Sequence, residues 1–213
     1  RKWLNENLIH LKDISAKQGP IKYDEVDLKK REVAFGYTKE DLNTIIRPMA
    51  QLGKEPIGSM GSDTPIAVLS ERPQLIYNYF KQIFAQVTNP PLDGIREELI
   101  TDISLTLGSD TNIFDCNSEA CKKLKIQNPV ISNEDLDKIK FIESENFKSA
   151  TISTLYEISG RLNSLESALE EMISAIEKAI DHEGANVIIL SDRGVSPSLA
   201  PIPMLLATSH AHH

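Results

Sequence analysis

Residues 148–208 read KSATISTLYEISGRLNSLESALEEMISAIEKAIDHEGANVIILSDRGVSPSLAPIPMLLAT, and their pattern decides the fold class. Residues 148–156 alternate and are rich in threonine and isoleucine, as a strand is. Between 164 and 183, Leu165, Ala168, Leu169, Met172, Ile173, Ile176, Ala179 and Ile180 recur at helical spacing. Gly184 stops that helix. Asn186-Val-Ile-Ile-Leu190 then predicts a fully buried strand, and Ser191-Asp192-Arg193-Gly194 the turn at its carboxyl end. A further helical run begins within residues 201–208. Strand, helix, strand, helix predicts a βαβα unit with parallel pairing, and so an α/β fold.

Toward the N-terminus the signals are mostly helical. Thr38-Lys-Glu-Asp41 forms a capping box with aspartate in place of glutamate. Leu42, Ile45, Ile46 and Met49 then recur until Gly53, with Pro48 expected to kink the helix or end it early. After Pro73, Leu75, Ile76, Tyr79, Phe80, Ile83 and Phe84 make one broad apolar face. A second helix is predicted over 92–107, on Leu92, Ile95, Leu99 and Ile103, with Gly108 as its stop. Residues 109–131 read as loop with short extended pieces, and Ser132-Asn-Glu-Asp135 caps a short helix through 140. Residues 1–36 are mixed and charged without clean periodicity, which predicts an irregular leading arm before one domain over 37–213.

Composition limits the partners. The chain of 213 residues is 40% hydrophobic and 25% charged, ordinary for a globular protein with a sizeable core. A net charge of −8 leaves no basic stripe for nucleic-acid phosphates. No apolar run approaches the roughly 18 residues of a membrane span. Cys116 and Cys121 read as free thiols, and a cytosolic or plastid-stroma location is expected. Arg1-Lys2-Trp3-Leu4 is not a natural initiator, so the chain reads as a segment of a longer polypeptide.

Two regions carry irregular backbone of the kind that binds or communicates. One runs from Gly58-Ser59-Met60-Gly61 through Asp63-Thr64-Pro65, and its companion is Val87-Thr88-Asn89-Pro90-Pro91. The glycines lack the lysine and the spacing of a phosphate cradle, and a lining loop where backbone approaches another surface fits better. The other region is the Ser191-Asp192-Arg193 loop, placed where α/β folds put active-site groups. It reads either as part of a small-ligand site or, with more weight, as a structural Asp–Arg pair that holds the loop and caps the next helix. His210, His212 and His213 read as a terminal tail rather than a metal site, and His10 and His182 as ordinary surface or capping residues. Two cysteines are too few for an iron–sulfur or zinc set, and Asp115 and Glu119 disfavour a reactive thiolate nearby.

Four sets of residues carry a family resemblance. They are AFGYTKEDL at 34–42; GKEPIGSMGSDTPIAVL at 53–69; YFKQIFAQVTNPP at 79–91 with IREE at 95–98; and GANVIILSDRG at 184–194 with APIPMLL at 200–206. Spread over nearly the whole chain, they resemble the central domain of the large chain of glutamate synthase. The terminal Ser209-His-Ala-His-His213 departs from the family, which runs on there through a histidine-containing helix. The resemblance implies an incomplete, rudimentary β/α-barrel-like domain with parallel βαβ units and added helices. It implies a parent enzyme making glutamate from glutamine and 2-oxoglutarate, with FMN and an iron–sulfur cluster held outside this chain. The partners it implies are the amidotransferase and FMN-binding domains of the same polypeptide, with no nucleic acid and no membrane. On that view this segment is catalytically silent, and Gly58, Ser59, Met60, Gly61, Asp63, Thr88, Asn89 and Pro90 line an ammonia tunnel or interdomain joint. The alternative is an independent small-ligand-binding α/β-barrel domain using Ser191, Asp192 and Arg193.

Overall fold

The computed structural model describes residues 2–16, 24–53, 56, 69, 71, 75–79, 92–112, 114–115, 117–142, 144, 146–158 and 164–213. The chain divides into two compact units, residues 1–21 with 98–213, and residues 22–97. The described residues form a mixed α/β structure of small sheets and helices, with no closed barrel among them.

In the first unit, helix α1 spans Lys2–Asn7 and strand β1 spans Ile9–His10. In the second unit, helix α2 covers Glu25–Ala34, capped by Asp24, whose carboxylate accepts the Val26 N–H at 3.2 Å. The described part of the leading arm therefore carries two helices where an irregular arm is expected. The sequence hides α2 because Val26, Leu28 and Val33 are all exposed, so no apolar stripe announces it.

The Thr38 capping box is present. The Thr38 hydroxyl accepts from the Asp41 N–H at 3.1 Å, and Asp41 accepts the Thr38 N–H at 2.9 Å. Helix α3, Lys39–Asp41, passes through a π-helical turn at Leu42–Ile46 into α4, Arg47–Leu52, which Gly53 ends at φ 60°. Pro48 does not end this helix. A proline lacks the N–H of its turn and crowds the carbonyl four residues back, and the wider π turn just before it makes room. Of the apolar stretch after Pro73, only residues 75–79 are described, and Ile76–Tyr79 is a 3-10 turn.

Helix α5 is Gly94–Ile100 and stops short of the expected 107. The Asp102 carboxylate accepts the Ser104 N–H at 2.8 Å and the Ser104 hydroxyl at 3.0 Å, a local turn that competes with helix. Leu105–Leu107 then forms strand β2, antiparallel to β3, Leu124–Ile126, which in turn pairs parallel with β1. Leu124, at 0% exposure, centres a cluster with Leu11, Ile126, Ile139, Phe147 and Val187. Helix α6, Asn133–Lys140, is capped by Ser132 as expected.

The βαβα unit is present. Strands β4, Ser149–Ser153, and β5, Leu155–Glu157, precede helix α7, Ser164–Asp181. Strands β6, Val187–Ser191, and β7, Leu199–Pro201, precede helix α8, Met204–His212. β4 and β6 pair in parallel from Ser149↔Val187 to Ser153↔Ser191, and β5 and β7 pair antiparallel. Of β6, only Val187 is fully buried; an apolar run does not reveal that the strand has one neighbour among the described residues, β4. Ile188 and Leu190 pack with Met172, Ile176 and Ala207 under α7 and α8, while Ile189 packs on the Leu124 cluster.

Candidate functional site

Parallel strands point their carboxyl ends at a common crevice, the usual ligand position of α/β folds. Here Ser153 and Ser191 end β4 and β6 side by side. Each strand then leads into a second, antiparallel pair, with Leu155 opposite Pro201 and Glu157 opposite Leu199. Two backbone bonds tie the junction: the Thr154 N–H donates to the Ser191 carbonyl at 2.9 Å, and the Ile202 N–H to the Thr154 carbonyl at 2.8 Å. The crevice is thus bridged by backbone. Thr154 is fully buried, and its hydroxyl finds no hydrogen-bond partner among the described groups.

The structure separates the members of the expected Asp–Arg pair. Arg193 is exposed and its guanidinium donates to the Asn133 side-chain carbonyl at 2.9 Å. Asn133 opens α6, sixty residues earlier in the chain. Asp192 is half-buried, and no ion pair joins it to Arg193 among the described residues. Ser191 turns its hydroxyl to the Arg193 N–H at 3.4 Å. The loop closes at Gly194 with φ 106°, where an added Cβ would lie 3.2 Å from Leu155 Cδ1. Asn133 could not be found by spacing, since its only local signal is a polar residue following the Ser132 cap.

Beside the antiparallel pair, an open cavity of about 770 Å³ lies between the β4–β5 edge and the first half of α7. Its polar lining is Thr151, Ser153, Tyr156, Ser164, Ser167 and the carboxylates of Glu157 and Glu171. No lysine or arginine lines it among the described residues. A flavin phosphate needs cationic or backbone N–H donors, and two carboxylates repel it. These residues do not fit FMN. An iron–sulfur cluster takes several cysteine thiolates, and the sequence holds two cysteines. Cys121 is a free, half-buried thiol, and no group of three His, Cys, Asp or Glu side chains could hold a metal among the described residues.

Gly58, Ser59, Met60, Gly61, Asp63, Thr88, Asn89, Pro90 and Cys116 lie outside the described residues. His210 and His212 sit in the last turn of α8, with the His213 ring edge-on to His212 at 5.1 Å. His10 pairs with Lys125 across β1 and β3, and the His182 N–H closes the C-terminal turn of α7 on the Lys178 carbonyl. No helix among the described residues is long and apolar enough to cross a membrane.

Comparison with known proteins places the chain in context. Residues 30–213 match the family model described as the glutamate synthase central domain. The chain is 41% identical over 212 residues to a glutamate synthase [NADPH] large chain of Bacillus subtilis, covering 100% of this chain and 13% of that protein. It is 40% identical over 188 residues to ferredoxin-dependent glutamate synthase 2 of Synechocystis, covering 86% and 12% respectively. To glutamate synthase [NADH] of Schizosaccharomyces pombe it is 36% identical over 225 residues, covering 100% and 11%. The chain thus spans about an eighth of the length of these relatives. Their names carry three different electron donors, so kinship alone does not fix the donor.

Proposed function

The chain belongs to the glutamate synthase central domain family, and from that premise we propose that it is a non-catalytic connecting domain of a longer glutamate synthase. The domain, expected over residues 37–213, is built as an incomplete β/α barrel, and β1 and Leu11 of the leading segment join its core. It joins a glutamine amidotransferase domain to an FMN-binding synthase domain of the same polypeptide, in the cytoplasm or a plastid stroma. The parent makes glutamate from glutamine and 2-oxoglutarate, an oxidoreductase reaction to which FMN and an iron–sulfur cluster would contribute electron transfer from outside this chain. The observation that carries the reading is similarity over the whole of this chain to proteins about eight times longer.

Ammonia released at one site must reach the other unprotonated and without escape, so its path needs walls that exclude bulk water. Met60 offers an adaptable apolar surface there, and Gly58 and Gly61 allow close backbone approach. Thr88 would share the lining at the mouth of the tunnel, while Ser59, Asp63, Asn89 and Pro90 fix the loops. The test is Met60→Arg in the full-length enzyme. Glutamine hydrolysis should continue while glutamate formation per glutamine falls below the coupled ratio. An unchanged ratio would sink the lining role.

A further inference from the structure

Strands β1 and β3 run parallel, so their carboxyl ends open to one side. There β1 leads into a 3-10 turn, Leu11–Asp13, and β3 into the loop over residues 127–131, with α6 packed on the turn. An open cavity of about 250 Å³ lies among them, within one compact unit.

Its walls concentrate positive charge. His10, Lys12, Lys125 and Lys138 all line it, against one carboxylate, that of Asp135, in a chain of net charge −8. Gln127 and Asn128 add amide donors, and Leu11, Ile126 and Ile131 supply apolar surface. Asp135 is already satisfied: the Lys138 ammonium stands 2.9 Å from it and the Ser132 hydroxyl 3.0 Å. Glu134 lies 3.8 Å from the same ammonium. Lys12 and Lys125 make no ion pair among the described residues, although Asp13 follows Lys12. Lys125 acts on Asp102 only from beyond pairing distance, and Ser104 holds that carboxylate.

The sheet fixes two of these groups. Lys125 stands opposite His10 on β1 and opposite Thr106 on β2, so the three side chains share the face away from Leu124. A carboxylate in either flanking position would pair with Lys125 across the strands. An imidazole and a hydroxyl stand there instead, and the ammonium is left for another acceptor.

We propose that this cavity binds a small dianion of the phosphate class, seated between the Lys12 and Lys125 ammonium groups. Two unpaired ammonium groups match two charges, and lysines serve phosphate as point charges where a planar carboxylate calls for an arginine fork. The volume equals that of about eight waters, room for a phosphate and a short ester chain along Leu11 and Ile131. Free phosphate and the phosphoryl group of a small monoester share this chemistry. The site does not depend on the connecting role of the domain.

Amine acetylation of the full-length polypeptide, read lysine by lysine from peptide masses, tests this. Only the neutral amine reacts, and a seated dianion holds the ammonium form. Inorganic phosphate at about 10 mM, well above a millimolar dissociation constant, replaces chloride at constant ionic strength. Labelling of Lys12 and Lys125 should slow about 10-fold, with the exposed Lys30 and Lys178 unchanged. Slowing of Lys12 and Lys125 by glycerol phosphate alone would assign the site to a monoester. No slowing with either probe, or equal slowing at all four lysines, would overturn the proposal. So would resistance of Lys12 and Lys125 to labelling without any phosphate, because another part of the polypeptide then covers them. Lys125→Gln should abolish the protection of Lys12, and Lys12→Gln, at an exposed position, that of Lys125. Protection that survives either substitution would put the anion elsewhere and overturn the proposal as well.

Discussion

Replacing Thr154 with valine should make the protein more stable. Thr154 sits between β4 and β5 at 0% exposure, with both backbone groups satisfied and its hydroxyl unpartnered among the described groups. A buried polar group without a partner costs about 1–3 kcal/mol in desolvation. Valine keeps the branched shape and the strand preference, and it leaves the bonds to Ser191 and Ile202 untouched. The expected gain is therefore about 1–2 kcal/mol, the lower part of that range because a hydroxyl relaxes toward weak acceptors. Thr154→Ala is the contrast: it also removes the hydroxyl but takes away a methyl from a packed site, and the cavity cost offsets the gain. The assay is urea denaturation followed by the fluorescence of Trp3, the single tryptophan, which belongs to the same compact unit as Thr154. The midpoint should rise with an unchanged slope. A fall of about 1 kcal/mol or more would refute the reasoning, because the hydroxyl must then make a bond that valine loses.

Two further substitutions probe the same unit. Leu124→Ala, at the centre of the β1–β3–β2 cluster with 0% exposure, should cost about 2–5 kcal/mol in the same urea assay. The Lys138 ammonium, 2.9 Å from Asp135, and the Ser132 hydroxyl hold the Asp135 carboxyl below the usual carboxylate range. A depressed folded value means the contribution to α6 is complete above the unfolded value of about 3.9 and is lost as pH falls through the lower folded one. Exchange of the Leu136 amide should therefore accelerate, beyond the intrinsic trend, on acidification below about pH 4. Asp135→Asn should flatten that dependence, and an unchanged profile in the variant would count against the assignment.

Long periodic or well-capped elements were legible in the sequence. The helix from Ser164 to Asp181, the Ser132 and Thr38 caps and the parallel β4–β6 pair all follow from local chemistry. Misreadings arose where a local pattern met a non-local partner. Leu99 and Ile103 keep helical spacing across the Asp102 turn, yet Leu105–Leu107 belongs to a sheet whose neighbour lies some twenty residues on. Residues 148–156 read as one strand, but the strand splits at Thr154 because β4 and β5 serve different partners. Arg193 shows the same limit at the candidate site. Sequence offers Asp192 beside it, and the fold instead brings Asn133 to it.

The carboxyl ends of β4 and β6 decide how far chemistry can be located in the described residues. An active crevice at this position needs strand ends that stop and loops that splay apart, leaving room above the sheet. Here β4 continues after one residue, and β6 after seven, into the antiparallel β5–β7 pair, and Ile202 and Ser191 both bond to Thr154 beneath it. The one cation of the loop is turned outward to Asn133, and the neighbouring cavity presents Glu157 and Glu171. An anionic substrate would meet repulsion, and no lysine or arginine among the described residues lines the cavity to offset it. A cationic one would meet two exposed carboxylates in water, an attraction too weak to hold it. Among the described residues the strand ends are therefore bridged by backbone.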